Sequence, residues 1–189
     1  MTKQVNTLIL CSLVLFLIYC SLKIGIHWDE LNIIQFGNDR LKYLFSFGEN
    51  EDYAKQWNSR FYPGAYSTIA IFFTKFFPAK YELEVLRIIN IIFGFSAIIG
   101  ITKITEELFN KNIGKITFVI CFLNPHFFGH IIMNERDLIV AFCNIWSTYL
   151  IIKYIRKQNL EKKRNKIILL SGLTIGLGMG VRFVFFATL

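Results

Sequence analysis

Between Leu8 and Ile26 the chain carries an apolar run whose only charged residue is Lys23. A bilayer core takes about 20 such residues as a helix, so this run reads as a membrane span. Leu86 to Ile104, Ile113 to Met133 and Leu138 to Tyr154 repeat the pattern, and a fifth run extends from Ile167 to Leu189. Several spans of this kind predict an all-α membrane protein of about five transmembrane helices. The last run has no polar flank, basic residue or helix breaker at its end, which predicts that the chain is the N-terminal part of a longer protein.

Composition agrees, with 54% hydrophobic and only 18% charged residues where a soluble domain would be more polar. The formal charge of +8 raises the question of nucleic acid. A nucleic-acid footprint is a stripe on a soluble fold, whereas here the surplus sits in short loops between apolar runs, so the expected partner is the membrane and not nucleic acid. Cys11, Cys20, Cys121 and Cys143 all lie inside apolar stretches without a C-x-x-C pair and read as small buried hydrophobes. Lys3 ahead of an apolar core resembles a leader, but Tyr19 before Cys20 is too large for a cleavage site, so Leu8 to Ile26 is read as a retained span.

Positive charge sets the orientation. Lys153, Arg156, Lys157, Lys162, Lys163, Arg164 and Lys166 stand against Glu161 alone, which marks this loop as cytoplasmic. Counting back puts Lys103 to Lys115 and the N-terminus on the same side. The long region from His27 to Glu84 and the short turn from Asn134 to Asp137 then face outward. Within the long loop, Leu31 to Phe47 has an irregular helical apolar face suited to the membrane interface. Arg60-Phe61-Tyr62-Pro63-Gly64 is a turning or extended segment, and Ala65 to Phe77 is too short to cross, so it is read as an interfacial or re-entrant helix. In the last span Gly172, Gly176 and Gly180 share one face, with Gly178 beside them, a pattern that lets helices pack closely in lipid.

Two acidic groups sit where spans leave the membrane on the outer side: His27-Trp28-Asp29-Glu30 and Asn134-Glu135-Arg136-Asp137. A carboxylate near a low-dielectric boundary is a better proton acceptor at neutral pH, although Asp29-Glu30 could equally cap the following helix and Asp137 could cap the helix from Leu138. Arg136 has Asp29, Glu30, Glu135 or an anionic head group as candidate partners. His126 and His130, four residues apart, suit either a metal or a hydrogen-bonded interfacial pair, and Phe127, Phe128 and Gly129 between them offer no carboxylate to orient the rings. Oxygen ligands from Asp29, Glu30 or Asp137 would suit magnesium or manganese better than zinc. Arg182 lies about 24 Å of helix rise beyond Lys166, in the outer half of the membrane, where it needs a phosphate or a carboxylate of the bundle.

The order of these elements resembles the N-terminal part of the GT-C membrane glycosyltransferases. The similar features are one span, Asp29-Glu30 opening a long outer loop, Arg60 to Gly64, Arg87 entering the second span, and Gly129-His130-Ile131-Ile132-Met133-Asn134-Glu135-Arg136-Asp137 before a further span. The dolichyl-phosphate-mannose protein mannosyltransferases and their bacterial polyprenyl-phosphate-sugar counterparts are the groups it resembles most. The resemblance implies inverting transfer of a sugar from a polyprenyl-phosphate donor to a hydroxyl of a protein, lipid or glycan acceptor, at the outer face of a bacterial inner membrane. It implies Asp29 as the general base, Glu30 as its neighbour in the acidic pair, and Asp137 as a second acidic group organising the site or, with Asp29, a divalent cation. Arg136, Arg182 and His130 are the expected substrate contacts. Family members have more spans, so these 189 residues alone are expected to be inactive. The competing expectation is a non-catalytic multispan subunit or a transporter fragment, in which the acids only cap and hold helices.

Overall fold

The computed structural model describes residues 3–55, 61–133, 135–156 and 161–188. Arg60, Asn134, Lys157 and Leu189 lie outside them, as do the side chains of Glu135, Glu161, Lys162 and Lys163. The described residues form helices and connecting turns without a strand. In chain order the α-helices are α1 (Lys3–Lys23), α2 (Trp28–Phe45), α3 (Asp52–Lys55), α4 (Ala65–Thr74), α5 (Glu82–Leu108), α6 (Lys111–Leu123), α7 (Pro125–Met133), α8 (Glu135–Arg156) and α9 (Glu161–Val181). Short 3-10 turns at Ala79–Tyr81 and Phe183–Thr188 precede α5 and follow α9.

Among the described residues three helices are long and apolar enough to cross a membrane, over Asn6–Lys23, Ala79–Leu108 and Arg136–Arg156, and α6 with α7 makes a fourth if that bent pair is one span. Two expectations are corrected here. The run from Ile113 to Met133 is not one straight helix, because α6 and α7 meet at 64°. Pro125 has no N–H to continue the ladder and pushes Asn124 into extended backbone (φ −67°, ψ 116°), while the Asn124 side chain accepts from Phe127 N at 3.0 Å to start α7 afresh. The run from Ile167 is not a helix to the end of the chain either. α9 stops at Val181, and Phe185 folds back so that its ring would lie 2.7 Å from a Cβ at Gly178, a fit that only glycine allows. Gly172 and Gly176, expected to pack against a neighbour, meet nothing within 4 Å, whereas Gly180 faces Ala65 of α4.

The bundle is organised around α5. Half of its apolar window is buried in protein, against 11% for α1, which leaves most of α1 to face lipid. Gly94 and Gly100 open the α5 surface: a Cβ at Gly94 would come 2.7 Å from Ile131 and 2.8 Å from Leu138, and one at Gly100 would come 2.7 Å from Ile145. Bulky side chains of α7 and α8 thus seat against the α5 backbone. One buried cluster joins Leu41, Ile71, Leu86, Ile139, Val181 and Phe185 across α2, α4, α5, α8 and the end of α9. A second joins Leu17, Ile91, Ile98, Phe122 and Ile131 across α1, α5, α6 and α7.

The long loop region is carried by α2 and α4. Leu41 on α2 packs with Tyr66, Ala70 and Ile71 on α4, and Ile33 and Phe36 are buried as well, while Trp28, Leu31, Leu44 and Phe45 remain exposed. Gly37 sets the closeness of this crossing, since a Cβ there would overlap Ile71 and come 2.7 Å from the Ser67 carbonyl oxygen. Backbone cannot yield as a flexible side chain would. Gly37→Ala should therefore destabilise the protein by about 1–3 kcal/mol through overpacking, read as a lowered unfolding midpoint of the detergent-purified protein; an unchanged midpoint would refute the tight crossing.

Candidate functional site

The tetrapeptide His27-Trp28-Asp29-Glu30 starts α2 with a capping box. His27 Nδ1 accepts from Asp29 N at 3.4 Å, and Glu30 Oε2 accepts from His27 N at 2.8 Å. The box turns Glu30 inward. There it is fully buried and meets Arg87 of α5 through two parallel bonds, Nε to Oε1 at 2.7 Å and Nη2 to Oε2 at 2.8 Å. The same guanidinium donates to the carbonyls of Ser21 (2.6 Å), Ile24 (3.2 Å) and Gly25 (2.8 Å), which are acceptors that the end of α1 leaves open. Arg87 and Glu30 together fasten the end of α1, the start of α2 and α5.

With Glu30 turned in, Asp29 is turned out. It lines a cleft of about 300 Å³ with Trp28, Asn32, Phe36, Tyr62 and Arg136. Asp29, Asn32, Phe36 and Arg40 recur at intervals of three and four, so they lie along one stripe of α2. Arg136 enters from the first turn of α8, its guanidinium 5.7 Å from the Phe36 ring centre and 5.5 Å from that of Tyr62. Arg40 sits behind Tyr62, donating to its carbonyl at 2.5 Å and to Ser67 Oγ at 3.4 Å. Burial first and the charge of Arg136 second hold the Arg40 guanidinium below its ordinary pKa, with Tyr53 acting in the opposite sense.

Asp137 takes a different partner. Arg182, just past α9, reaches it at 2.6 Å and so joins the end of α9 to the start of α8. The helix begins at Glu135, so Asp137 lies within its first turn instead of capping it, where a carboxylate still complements the helix dipole. Below the pair, Val140, Ala141, Asn144, Ile145 and Thr188 line an open groove. Asp29, Arg87, Arg136, Asp137 and Arg182 all lie at one end of the bundle. The opposite end is tied by Arg156 of α8, which donates to the Glu107 carbonyl and lies 3.6 Å from the Glu107 carboxylate.

His130 and His126 face each other, with their Nε2 atoms 3.2 Å apart and their ring centres at 4.5 Å. Neither is among the described residues lining the Asp29 cleft. The residues expected to hold a divalent cation fit one poorly. Among the described residues no three His, Cys, Asp or Glu side chains converge, Asp137 is engaged by Arg182, and Arg136 brings positive charge to the cleft that holds Asp29. Sequence reasoning passed over Asn32, Phe36 and Arg40, which the 29-32-36-40 spacing signals. It also passed over Glu30 with Arg87, a pair separated by 57 residues that has no local signature.

Comparison with curated proteins and with solved structures gives no match. The sequence model of the family described as "Dolichyl-phosphate-mannose-protein mannosyltransferase" matches residues 63–188. That range takes in α4 to α9, with Arg87, Arg136, Asp137 and Arg182, and leaves out α1 and α2 with Asp29. A helical membrane bundle matched over two thirds of its length by this one family belongs to it: the chain is a member of the dolichyl-phosphate-mannose-protein mannosyltransferase family of membrane glycosyltransferases.

Proposed function

We propose that this chain carries the donor-site end of an enzyme that moves a sugar from a polyprenyl-phosphate donor to an acceptor hydroxyl, with inversion, at the outer face of a bacterial inner membrane. The observation that carries the reading is the cleft at the bundle end, where one exposed carboxylate, Asp29, shares a wall with a guanidinium and three aromatic rings. Aromatic faces and an amide suit a sugar ring. Asp29 takes the proton of the acceptor hydroxyl as its oxygen bonds to the anomeric carbon. The bond from that carbon to the donor phosphate breaks with its electron pair leaving on phosphate oxygen, and polyprenyl phosphate departs. A donor whose isoprenoid tail stays in lipid accounts for a site at the end of membrane-crossing helices.

The donor class is tested with the full-length protein in bilayers, offered the same labelled sugar either on a polyprenyl phosphate or on a nucleotide. Transfer is expected from the lipid-linked sugar alone. Transfer from the nucleotide sugar without lipid, or from neither donor, would contradict the reading.

A further inference from the structure

α7 carries a pair of nitrogen donors that the proposed reaction leaves unused, and its backbone is held firmly enough to present them. Asn124 fixes its start, with the side chain accepting from Phe127 N at 3.0 Å and the carbonyl accepting from Phe128 N at 2.9 Å. Asn90 of α5 donates to the carbonyls of His130 (3.1 Å) and Ile131 (2.7 Å), and Ile131 is buried in the cluster that joins α7 to α5. The Phe128 ring meets those of Phe16 on α1 and Phe122 on α6. On the face left free, His126 is exposed and His130, one turn later, is half-buried. Their Nε2 atoms are 3.2 Å apart and their ring centres 4.5 Å apart. Two rings pointing head-on through an N–H···N bond would hold their centres farther apart than this. The two Nε2 atoms therefore cannot both aim straight at each other, and a hydrogen bond between them is poorly aligned. Imidazoles four residues apart on one helix face can instead share a third atom. At an imidazole-to-metal distance of about 2.0–2.1 Å, nitrogens 3.2 Å apart subtend roughly 100° at the ion, close to a tetrahedral angle.

We propose that His126 and His130 form a two-imidazole site for a divalent transition-metal ion of the nickel, copper and zinc group, bound through both Nε2 atoms. The site is separate from the Asp29 cleft and does not rest on the function proposed above. Imidazole suits these ions, whereas magnesium and calcium take oxygen ligands. Among the described residues no third His, Cys, Asp or Glu side chain joins the pair, so water completes the coordination and the site stays open. Each ring binds in its neutral form, with its proton on Nδ1. In His130 that atom is buried and has no hydrogen-bond partner among the described residues, which keeps the affinity micromolar and not nanomolar. Both ligands belong to α7, so the ion closes one turn of that helix without tying it to another.

The test uses full-length protein without a polyhistidine tag, stripped of metal by a chelator and placed in phosphatidylcholine nanodiscs, with copper, zinc and magnesium ions as the probes. The parent is expected to bind copper more tightly than zinc, and magnesium should not compete. His126→Ala and His130→Ala should each weaken copper binding about tenfold or more, as loss of one of two ligands does. The paramagnetic resonance spectrum of the bound copper should show splitting from two nitrogens in the parent and from one or none in either variant. His126→Ala replaces an exposed side chain, so it answers the question even where His130→Ala fails to fold. His27→Ser removes the remaining histidine of this sequence while keeping a cap on α2, and copper binding should not change. Unchanged binding in His126→Ala, or a loss confined to one of two folded variants, would overturn the site, since a chelate needs both imidazoles. So would a loss in His27→Ser as large as in His126→Ala, or magnesium competing on equal terms with copper. The two rings would then be no more than a hydrogen-bonded pair.

Discussion

Glu30→Gln lowers the unfolding midpoint of the purified protein by an amount equivalent to about 3–5 kcal/mol. The reason is the company Glu30 keeps. Its side chain is 1% exposed and that of Arg87 is 5% exposed, so removing one charge leaves the other buried in a bundle with no water to answer it. Arg87→Leu should be as damaging from the other side, since it strips Glu30 of its partner and the carbonyls of Ser21, Ile24 and Gly25 of their donor. The double variant Glu30→Gln with Arg87→Leu removes both charges and should recover part of the loss of either single change, as buried pairs replaced together do. Additive losses in the double variant, read by thermal unfolding in detergent, would show that the two residues do not act as a pair. Sugar transfer should fall in step with folded protein in these variants, because the pair fixes the backbone that presents Asp29.

The bundle was legible because lipid leaves few solutions. Runs such as Leu8 to Ile26 and Leu86 to Ile104 predict helices from length and hydropathy alone, and α1 and α5 occupy them. Ala65 to Phe77 has too few apolar residues to cross, and α4 is a ten-residue helix packed on α2. What failed was local and had local causes. Pro125 was passed over inside an apolar run and splits it at 64°. Gly178 was placed beside the glycine face of the last run without a task of its own, whereas it is the space into which Phe185 folds back where α9 ends. Glycine spacing was a partial guide: Gly180 of the marked face meets Ala65, but Gly172 and Gly176 meet nothing within 4 Å, and Gly94 and Gly100 on α5, six positions apart, make the close contacts between α5 and its neighbours.

The acidic pair was visible as a pair, yet sequence alone could not tell its members apart. Neighbouring helical side chains point about 100° apart, and the capping box together with the position of Arg87 decides which of the two turns inward. The partner of Arg182 had the same character. A phosphate and a carboxylate are equivalent demands from the point of view of a lone arginine, and Asp137 supplies the second across 45 residues of chain. Arg40 escaped because it lies in a polar-looking stretch, Asn38-Asp39-Arg40, where a charged residue on the solvent side of a helix is ordinary.

The second large effect belongs to Asp29, and it is of the opposite kind to that of Glu30. Asp29 is exposed, has no ion pair within bonding distance among the described residues, and contributes to the fold mainly through its backbone N–H to His27. Asp29→Asn keeps the size and shape of the side chain and removes its ability to take a proton. Loss of a general base lowers a rate by about 10²–10⁴-fold, so sugar transfer should fall by that order while the unfolding midpoint stays within a degree or two of the parent, as about 0.5 kcal/mol at a surface position allows. The decisive measurement is the rate of sugar transfer from a lipid-linked donor by full-length Asp29→Asn protein, with its folding and lipid-phosphate binding followed in parallel. A rate reduced by about a hundredfold or more with folding and binding intact is the predicted result. Transfer at the parental rate would contradict the assignment of Asp29 as the base and, with it, the cleft as the place where the sugar is moved.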